Sequence, residues 1–251
     1  MTTRTICAMV TGLALSCASA ARAQAPASST TPGSTMPLGD KVFVSLNLGA
    51  QTSSATLTKD WSFPIYRESA TSTTSASVRS GVIFDVMGGY RIKPQLGVAV
   101  GFSSFSSTGA AQGTASVPNP LFFNRPAAVV ISPVDAKRTE RSTYIVLVGS
   151  IPVGRKTDLS AFIGPSFIRV AQDIIYDVSV TPGTQSVVSP VRNETGTAKG
   201  VNVGGDLVYQ VLPQVGAGVF LRYNGGSLDL PSAQSVKAGG VQIGVGARFR
   251  F

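Results

Sequence analysis

An eight-stranded antiparallel up-and-down transmembrane β-barrel is the fold class this sequence predicts, from three observations. Apolar residues recur with period two along eight segments, the pattern of strands with one apolar face. The links between the segments alternate strictly between short and long. The face opposite the apolar one is Gly, Ser, Ala and Asn with a few charges, rather than the Lys, Glu and Thr of a solvated sheet surface.

The elements follow in chain order. Arg4 supplies a positive start, Ile6 to Ala20 is apolar with small polar interruptions, and Ala21-Arg22-Ala23 forms an A-x-A site before Gln24. Residues 1–23 are therefore expected to be a secretory signal, too short and too rich in small residues to span a membrane as a helix. Lipidation at Cys17 is the rival processing, but Ala14 stands where a lipoprotein site carries a large aliphatic residue. Both cysteines, Cys7 and Cys17, fall in the signal, so the exported chain is expected to have no thiol, disulfide or cysteine metal site. Residues 24–40 are Pro, Ser, Thr and Gly without periodicity, a flexible linker. Residues 41–251 are the barrel.

The first run sets Val42, Val44, Leu46, Leu48 and Ala50 against Phe43, Ser45, Asn47, Gly49 and Gln51. The second sets Val82, Phe84, Val86, Tyr90 and Ile92 against Ile83, Asp85, Met87 and Arg91, and the third opposes Leu96, Val98, Val100 and Phe102 to Gly97, Ala99, Gly101 and Ser103. The fourth, Thr143 to Ile151, is apolar on both faces, which leaves its register open. The fifth runs from Leu159 to Arg169 with Pro165 on its apolar side, and the sixth carries Val201, Val203, Leu207 and Tyr209. The seventh carries Val215, Ala217, Val219, Leu221 and Tyr223 opposite Arg222, and the eighth carries Val241, Ile243, Val245, Ala247, Phe249 and Phe251 opposite Gln242, Arg248 and Arg250. Runs of about ten residues are long enough to cross a bilayer when tilted.

Short links are expected at Lys93–Gln95, Val153–Asp158 and Leu212–Gln214, and long ones over about Thr52–Gly81, Ser104–Ser142, Val170–Lys199 and Gly225–Gly240. In an up-and-down barrel this places every short turn at one end and every long loop at the other, the layout of a transmembrane barrel. A soluble lipocalin-type barrel is the alternative, since period two alone does not say which face points outward. Small residues on the polar face suit a crowded lumen. Aromatics near the ends of the apolar face (Tyr90, Phe102, Phe167, Tyr209, Tyr223, Phe249, Phe251) suit a membrane interface.

Lys41 to Phe251 resembles a small Gram-negative outer-membrane barrel of the OmpA/OmpX-like superfamily, the outer membrane protein beta-barrel domain. The resemblance is carried by Phe251 with its apolar alternates, by the Gly-rich run from Gly200 to Asp206, and by the hairpin from Val211 to Gly218. It implies a bacterial outer-membrane location and contact with membrane lipid and lipopolysaccharide. It also implies that Phe249 and Phe251 serve as the signal read by the barrel-assembly machinery.

Chemistry is narrowed further by what the chain holds. With no histidine, and no cysteine outside the signal, an activated serine or thiol nucleophile of the usual kind has no base to make it. Asp85 and Asp206 both fall on the lumen face and are expected to neutralise Arg91, Arg222, Arg248 and Arg250 rather than to form a catalytic dyad. Gly216-Ala-Gly218 and Gly244-Val-Gly246 begin like nucleotide fingerprints, yet Leu221 and Phe249 stand where the third glycine is required. No enzyme activity and no cofactor are expected. The net charge of +9 is spread without any basic run, which argues against a nucleic-acid partner. In the second long link, Leu121, Phe122, Phe123 and Arg125 are a candidate contact surface, or else pack on the barrel rim or touch lipopolysaccharide. The expected state is a monomer with a plugged lumen. A loop-based adhesin or ligand-binding surface protein is the competing function on the same scaffold.

Overall fold

Each of the eight alternating runs lies within a strand, apart from Phe251, which directly follows the last one. The computed structural model describes residues 41–52, 56–65, 68–119, 122, 125–175, 179–181, 186–188, 191–231 and 233–251. The signal and linker segments, with Cys7 and Cys17, lie outside the described residues, as do Leu121 and Phe123. The strands are β1 (Val42–Thr52), β2 (Thr56–Ile65), β3 (Glu68–Ser77), β4 (Gly81–Lys93), β5 (Leu96–Val117), β6 (Ala127–Pro152), β7 (Thr157–Ile175), β8 (Ser179–Thr181), β9 (Ser186–Val188), β10 (Val191–Leu212), β11 (Val215–Leu230) and β12 (Ala233–Arg250).

Eight of them close a ring in the order β1, β4, β5, β6, β7, β10, β11, β12 and back to β1, every pair antiparallel. The closing seam runs from Phe43 opposite Arg250 to Thr52 opposite Val241, and Val42 and Phe251 exchange backbone hydrogen bonds of 3.1 and 2.8 Å beyond it. Closure leaves no unpaired edge in the ring, which a bilayer requires. The sheet has ten strands because the hairpin β2–β3 joins β5, with Thr71 to Ala76 lying opposite Ser116 to Ala111. That hairpin takes over the edge of β5 where β4 ends, since β4 leaves β5 at Ser106. A separate two-stranded sheet pairs β8 with β9.

Burial is inverted relative to a water-soluble domain. Leu48, Val82, Val100, Ile163, Val219 and Val245 are each more than half exposed, whereas Ser45, Asp85, Ser160, Asn202, Arg222 and Gln242 are almost wholly buried. The outward face is apolar and the inward face polar, so the exterior is built for lipid and the soluble-carrier alternative fails. From Val82 to Ile92 the outward positions cover ten residue steps. At about 3.3 Å per residue and a tilt of about 40° that is a band about 25 Å tall. The register left open for the fourth run is settled: Tyr144, Val146 and Val148 point inward and Ile145, Leu147 and Ile151 outward. Both faces are apolar because β6 meets lipid on one side and an apolar collar of Phe43, Met87, Ala99 and Phe162 on the other.

The long links require correction. Most of Ser104–Ser142 is strand, since β5 continues to Val117 and β6 begins at Ala127; β7 continues to Ile175, β10 begins at Val191, and β11 and β12 reach Leu230 and Ala233. The apolar face changes sides at these heights. On β5, Phe102 is outward but Phe105, Ala111, Ala115 and Val117 are buried; on β7, Phe167 is outward but Ile168, Val170 and Ile174 are buried. On β11 Tyr223 is outward and Leu228 and Leu230 buried, and on β12 Val241 is outward and Val236 and Ala238 buried. Where the outside changes from lipid to water, the apolar residues move indoors. Ile168, Val170, Ala198, Leu228 and Val236 then form an ordinary core inside the barrel's extension.

Candidate functional site

The lumen is the candidate site, because the inward positions bring together the charged residues that the sequence scatters. Three levels can be followed from the short-turn end. Nearest that end, Arg250 pairs with Asp158, whose carboxylate also accepts from Gln210 Nε2 at 3.0 Å. Beside it Arg248 pairs with Asp206 and donates to Ser45 Oγ at 3.1 Å and Ser160 Oγ at 3.0 Å, its guanidinium lying 5.3 Å from the centre of the Phe43 ring.

At mid-height Asp85 is fully buried and accepts three donors: Asn47 Nδ2 at 2.7 Å, Tyr144 OH at 2.6 Å and Arg222 Nη1 at 2.8 Å. Arg222 also donates to the Tyr144 oxygen at 3.0 Å and to Gln242 Oε1, and its guanidinium faces the rings of Tyr144 and Phe220. From Gln242 the chain of hydrogen bonds climbs through Gln51 (2.6 Å) to Glu140 (2.9 Å). Glu140 is held by Arg138 Nε at 2.7 Å and by the backbone N–H of Gly239 at 3.0 Å. Arg138 also donates from Nη1 to Gln172 Oε1 (2.8 Å) and from Nη2 to the Lys237 carbonyl (2.6 Å). Gly239 has φ +82, a backbone shape that favours glycine and presents this N–H inward.

The sequence-predicted residues are thus partly united. Asp85 meets Arg222 and Asp206 meets Arg248 as expected, whereas Arg250 takes Asp158, a residue assigned to a turn. Arg91 is half-buried at the turn end, where its backbone N–H donates to Lys41 O at 2.7 Å. Phe249 is half-buried and Phe251 exposed at the same end. Phe122 is 59% exposed in the link between β5 and β6, beside an exposed Arg125 whose N–H donates to Phe122 O at 3.2 Å. Arg138 and Glu140 were missed. The signal was present, since Arg138, Glu140, Ser142 and Tyr144 continue a period-two face.

Chemically, this arrangement can fill and brace the barrel. Each of the four carboxylates in the ion pairs sits against a guanidinium, and the pairs cross the lumen between strands except for the local Arg138–Glu140 pair. A cavity bounded by Ser45, Asn47, Asp206 and Arg248 has about 10 Å³, space for one water at most. Asp206→Ala leaves the 3%-exposed Arg248 side chain without its carboxylate and is expected to cost about 3 kcal/mol. The check is the urea midpoint of protein refolded in detergent, which should fall; an unchanged midpoint removes Asp206 from the bracing.

The chain is similar to several solved structures at low identity. The Neisserial surface protein A is 16% identical over 84% of this chain and 97% of its own, with a TM-score of 0.46. The outer membrane protein OprG from Pseudomonas aeruginosa is 9% identical over 84% and 96%, with a TM-score of 0.48. The outer membrane protease OmpT from Escherichia coli is 13% identical over 85% and 98%, with a TM-score of 0.43. No curated protein sequence matches the chain. The profile of the outer membrane protein beta-barrel domain matches residues 11–249, and the chain belongs to that family of bacterial outer-membrane barrels.

Proposed function

We propose that this protein is a non-conducting, monomeric outer-membrane barrel whose work is done at its outer surface. The observation that carries the reading is the filled lumen. Ion pairs at several heights and the collar of Phe43, Met87, Tyr144, Val146 and Phe162 occupy the interior, which in an eight-stranded ring is only wide enough for side chains. The short turns face the periplasm. The extended strands rise from the other side as a rigid stalk that carries the β2–β3 hairpin and the link at residues 118–126. Structural support of the envelope and contact with partners at the surface both fit this scaffold. The 59% exposure of Phe122 beside Arg125 favours a contact role for that link, as in an adhesin or ligand-binding surface protein.

Three measurements test this. In planar bilayers the purified protein is expected to give no stable open conductance; a steady channel would overturn the plugged lumen. With Cys7 and Cys17 in the expected signal, single cysteines can report orientation. Phe122→Cys should react with a membrane-impermeant maleimide on intact cells, and Gln214→Cys only after the outer membrane is permeabilised. The reverse pattern would overturn the orientation. Deleting residues 118–126 should then abolish surface binding if the link is the contact site; binding that survives the deletion takes that role from the link.

A further inference from the structure

Two depressions meet on the outer wall formed by β10, β11 and β12. The lower one, about 620 Å³, is apolar and lies among Leu159, Val203, Leu207, Val219, Leu221 and Ile243. It exists because Gly205 occupies the outward position between Val203 and Leu207 and leaves a notch in the belt. The upper one, about 610 Å³, contains Lys199, Ser227 and Lys237 and shares Tyr223 and Val241 with the lower.

The two chemistries are stacked at the height where the outer face changes from apolar to polar. Lys199 lies two residues beyond outward Val201, and Lys237 four before outward Val241. In the sheet, Lys199 is opposite Ser227 and Ser227 is opposite Lys237, so the lysines flank one serine across three strands. Strand spacing of about 4.8 Å puts their backbones about 10 Å apart, within reach of a common anion for two flexible side chains. Next to Ser227 on the belt side, the outward positions of β11 and β12 are the paired Gly225 and Gly239. At Gly225 the Tyr223 ring lies across the site that a Cβ would occupy, its hydroxyl among the nearest atoms, so that hydroxyl sits at the seam of the two depressions.

Among the described residues no ion pair engages either lysine. The carboxylate on the same strand face, Asp229, accepts the backbone N–H of Ser235 at 2.7 Å. The basic row continues round the wall: exposed Arg169 stands next to the Lys199 strand, opposite Thr197, and is itself directly opposite exposed Arg141. Like charges facing each other across strands are destabilising unless an anion lies between or above them. Scattered interface lysines would explain single cations. They do not explain a row at one height with an apolar notch beneath it.

We propose that this wall binds one phosphorylated, multiply acylated glycolipid of the outer leaflet. An acyl chain fills the notch over Gly205, a phosphate lies between Lys199 and Lys237 above Ser227, and Tyr223 marks the boundary. The inference rests on the orientation given above, with the extended strands outside. The notch selects an acyl chain, the lysine pair selects a phosphate, and their stacking selects a molecule that carries both.

The test uses the full exported chain in nanodiscs, with purified bisphosphorylated lipid A as probe and retention read by native mass spectrometry. Lys199→Gln with Lys237→Gln should weaken lipid A binding at least tenfold with the unfolding midpoint unchanged. Val219→Trp, which fills the notch from an outward position, should weaken it similarly while the lysines remain. Dephosphorylated lipid A should bind to wild type no better than bisphosphorylated lipid A binds to the double variant. Undiminished binding by the lysine variant overturns the proposal, and equal binding of phosphatidylglycerol by the wild type overturns the choice of a glycolipid. Nanodiscs offer both leaflets alike, so site failure appears there, whereas a wrong orientation appears only in the maleimide labelling.

Discussion

Asp85→Ala is expected to destabilise the barrel by about 3–5 kcal/mol, the usual cost of leaving a buried charge without its partner. Asp85 is fully buried, and its carboxylate is the acceptor for Asn47, Tyr144 and Arg222 at once. Removing it leaves the Arg222 side chain, 2% exposed, with only Gln242 and the Tyr144 oxygen as acceptors. Neither carries the compensating charge. Urea unfolding of refolded protein, followed by far-UV circular dichroism and by the heat-modifiable band on gels, should show a large fall in midpoint. Asp85→Asn, which keeps an acceptor of the same shape, should fall less. Asp85→Leu with Arg222→Met should recover much of the loss, because replacing both members of a buried pair by apolar groups is often near neutral. If Asp85→Ala unfolds at the wild-type midpoint, the mid-height network does not hold the barrel together.

Much of this architecture was legible because lipid enforces a simple rule on the outward face. From Val42 to Ala50, or from Val241 to Phe249, each second residue is apolar or small, and the parity identifies the strand and its outside together. The rule fails at the height where lipid gives way to water. Beyond Phe102 and Phe167 the apolar residues shift to the inward positions, Phe105 and Ile168 onward, and a search for one continuous apolar parity stops there. That is why the extensions of β5, β6, β7 and β10 read as loops. The hairpin β2–β3 was hidden for a related reason: Ser69 to Ser77 of β3 is Ser, Thr and Ala, with too little contrast between faces for a period to show.

The lumen was legible by inventory and not by pairing. Alternation places Asp85, Asp206, Arg222, Arg248 and Arg250 inside, and low dielectric requires that they meet opposite charge. Which carboxylate meets which guanidinium depends on the stagger of the strands as the sheet closes. Arg250 of β12 therefore finds Asp158 of β7 across the lumen, 92 positions away in sequence. The same stagger carries Arg138 and Glu140, at the end of what read as loop, onto the top of the hydrogen-bonded chain that ends at Asp85.

A second large effect should come from a residue with no side chain. Gly101 faces the lumen directly opposite Tyr144, and the Tyr144 ring lies across the space that a Cβ on residue 101 would take. The ring is backed by β5 on one side and by Arg222 on the other, 5.2 Å from its centre, so it has nowhere to retreat. Gly101→Val is therefore expected to push the ring aside, which adds about 1–3 kcal/mol of overpacking to the loss of the hydroxyl from Asp85 and Arg222. With about 1.5–3 kcal/mol for each charged hydrogen bond, the total is at least that of Asp85→Ala. Gly88 supplies the control. It lies on the outward face of β4, and nothing stands within 4 Å of an added Cβ. Gly88→Val should leave the urea midpoint and the folded gel band as in wild type, or raise the midpoint slightly, since a branched residue suits a strand better than glycine. Gly101→Val with Tyr144→Ala should refold better than Gly101→Val alone, because the second change vacates the space the first one needs. Equal tolerance of valine at positions 101 and 88 would mean that the tyrosine is free to move, and that the mid-height network is held by charge alone rather than by the fit of a ring over a glycine.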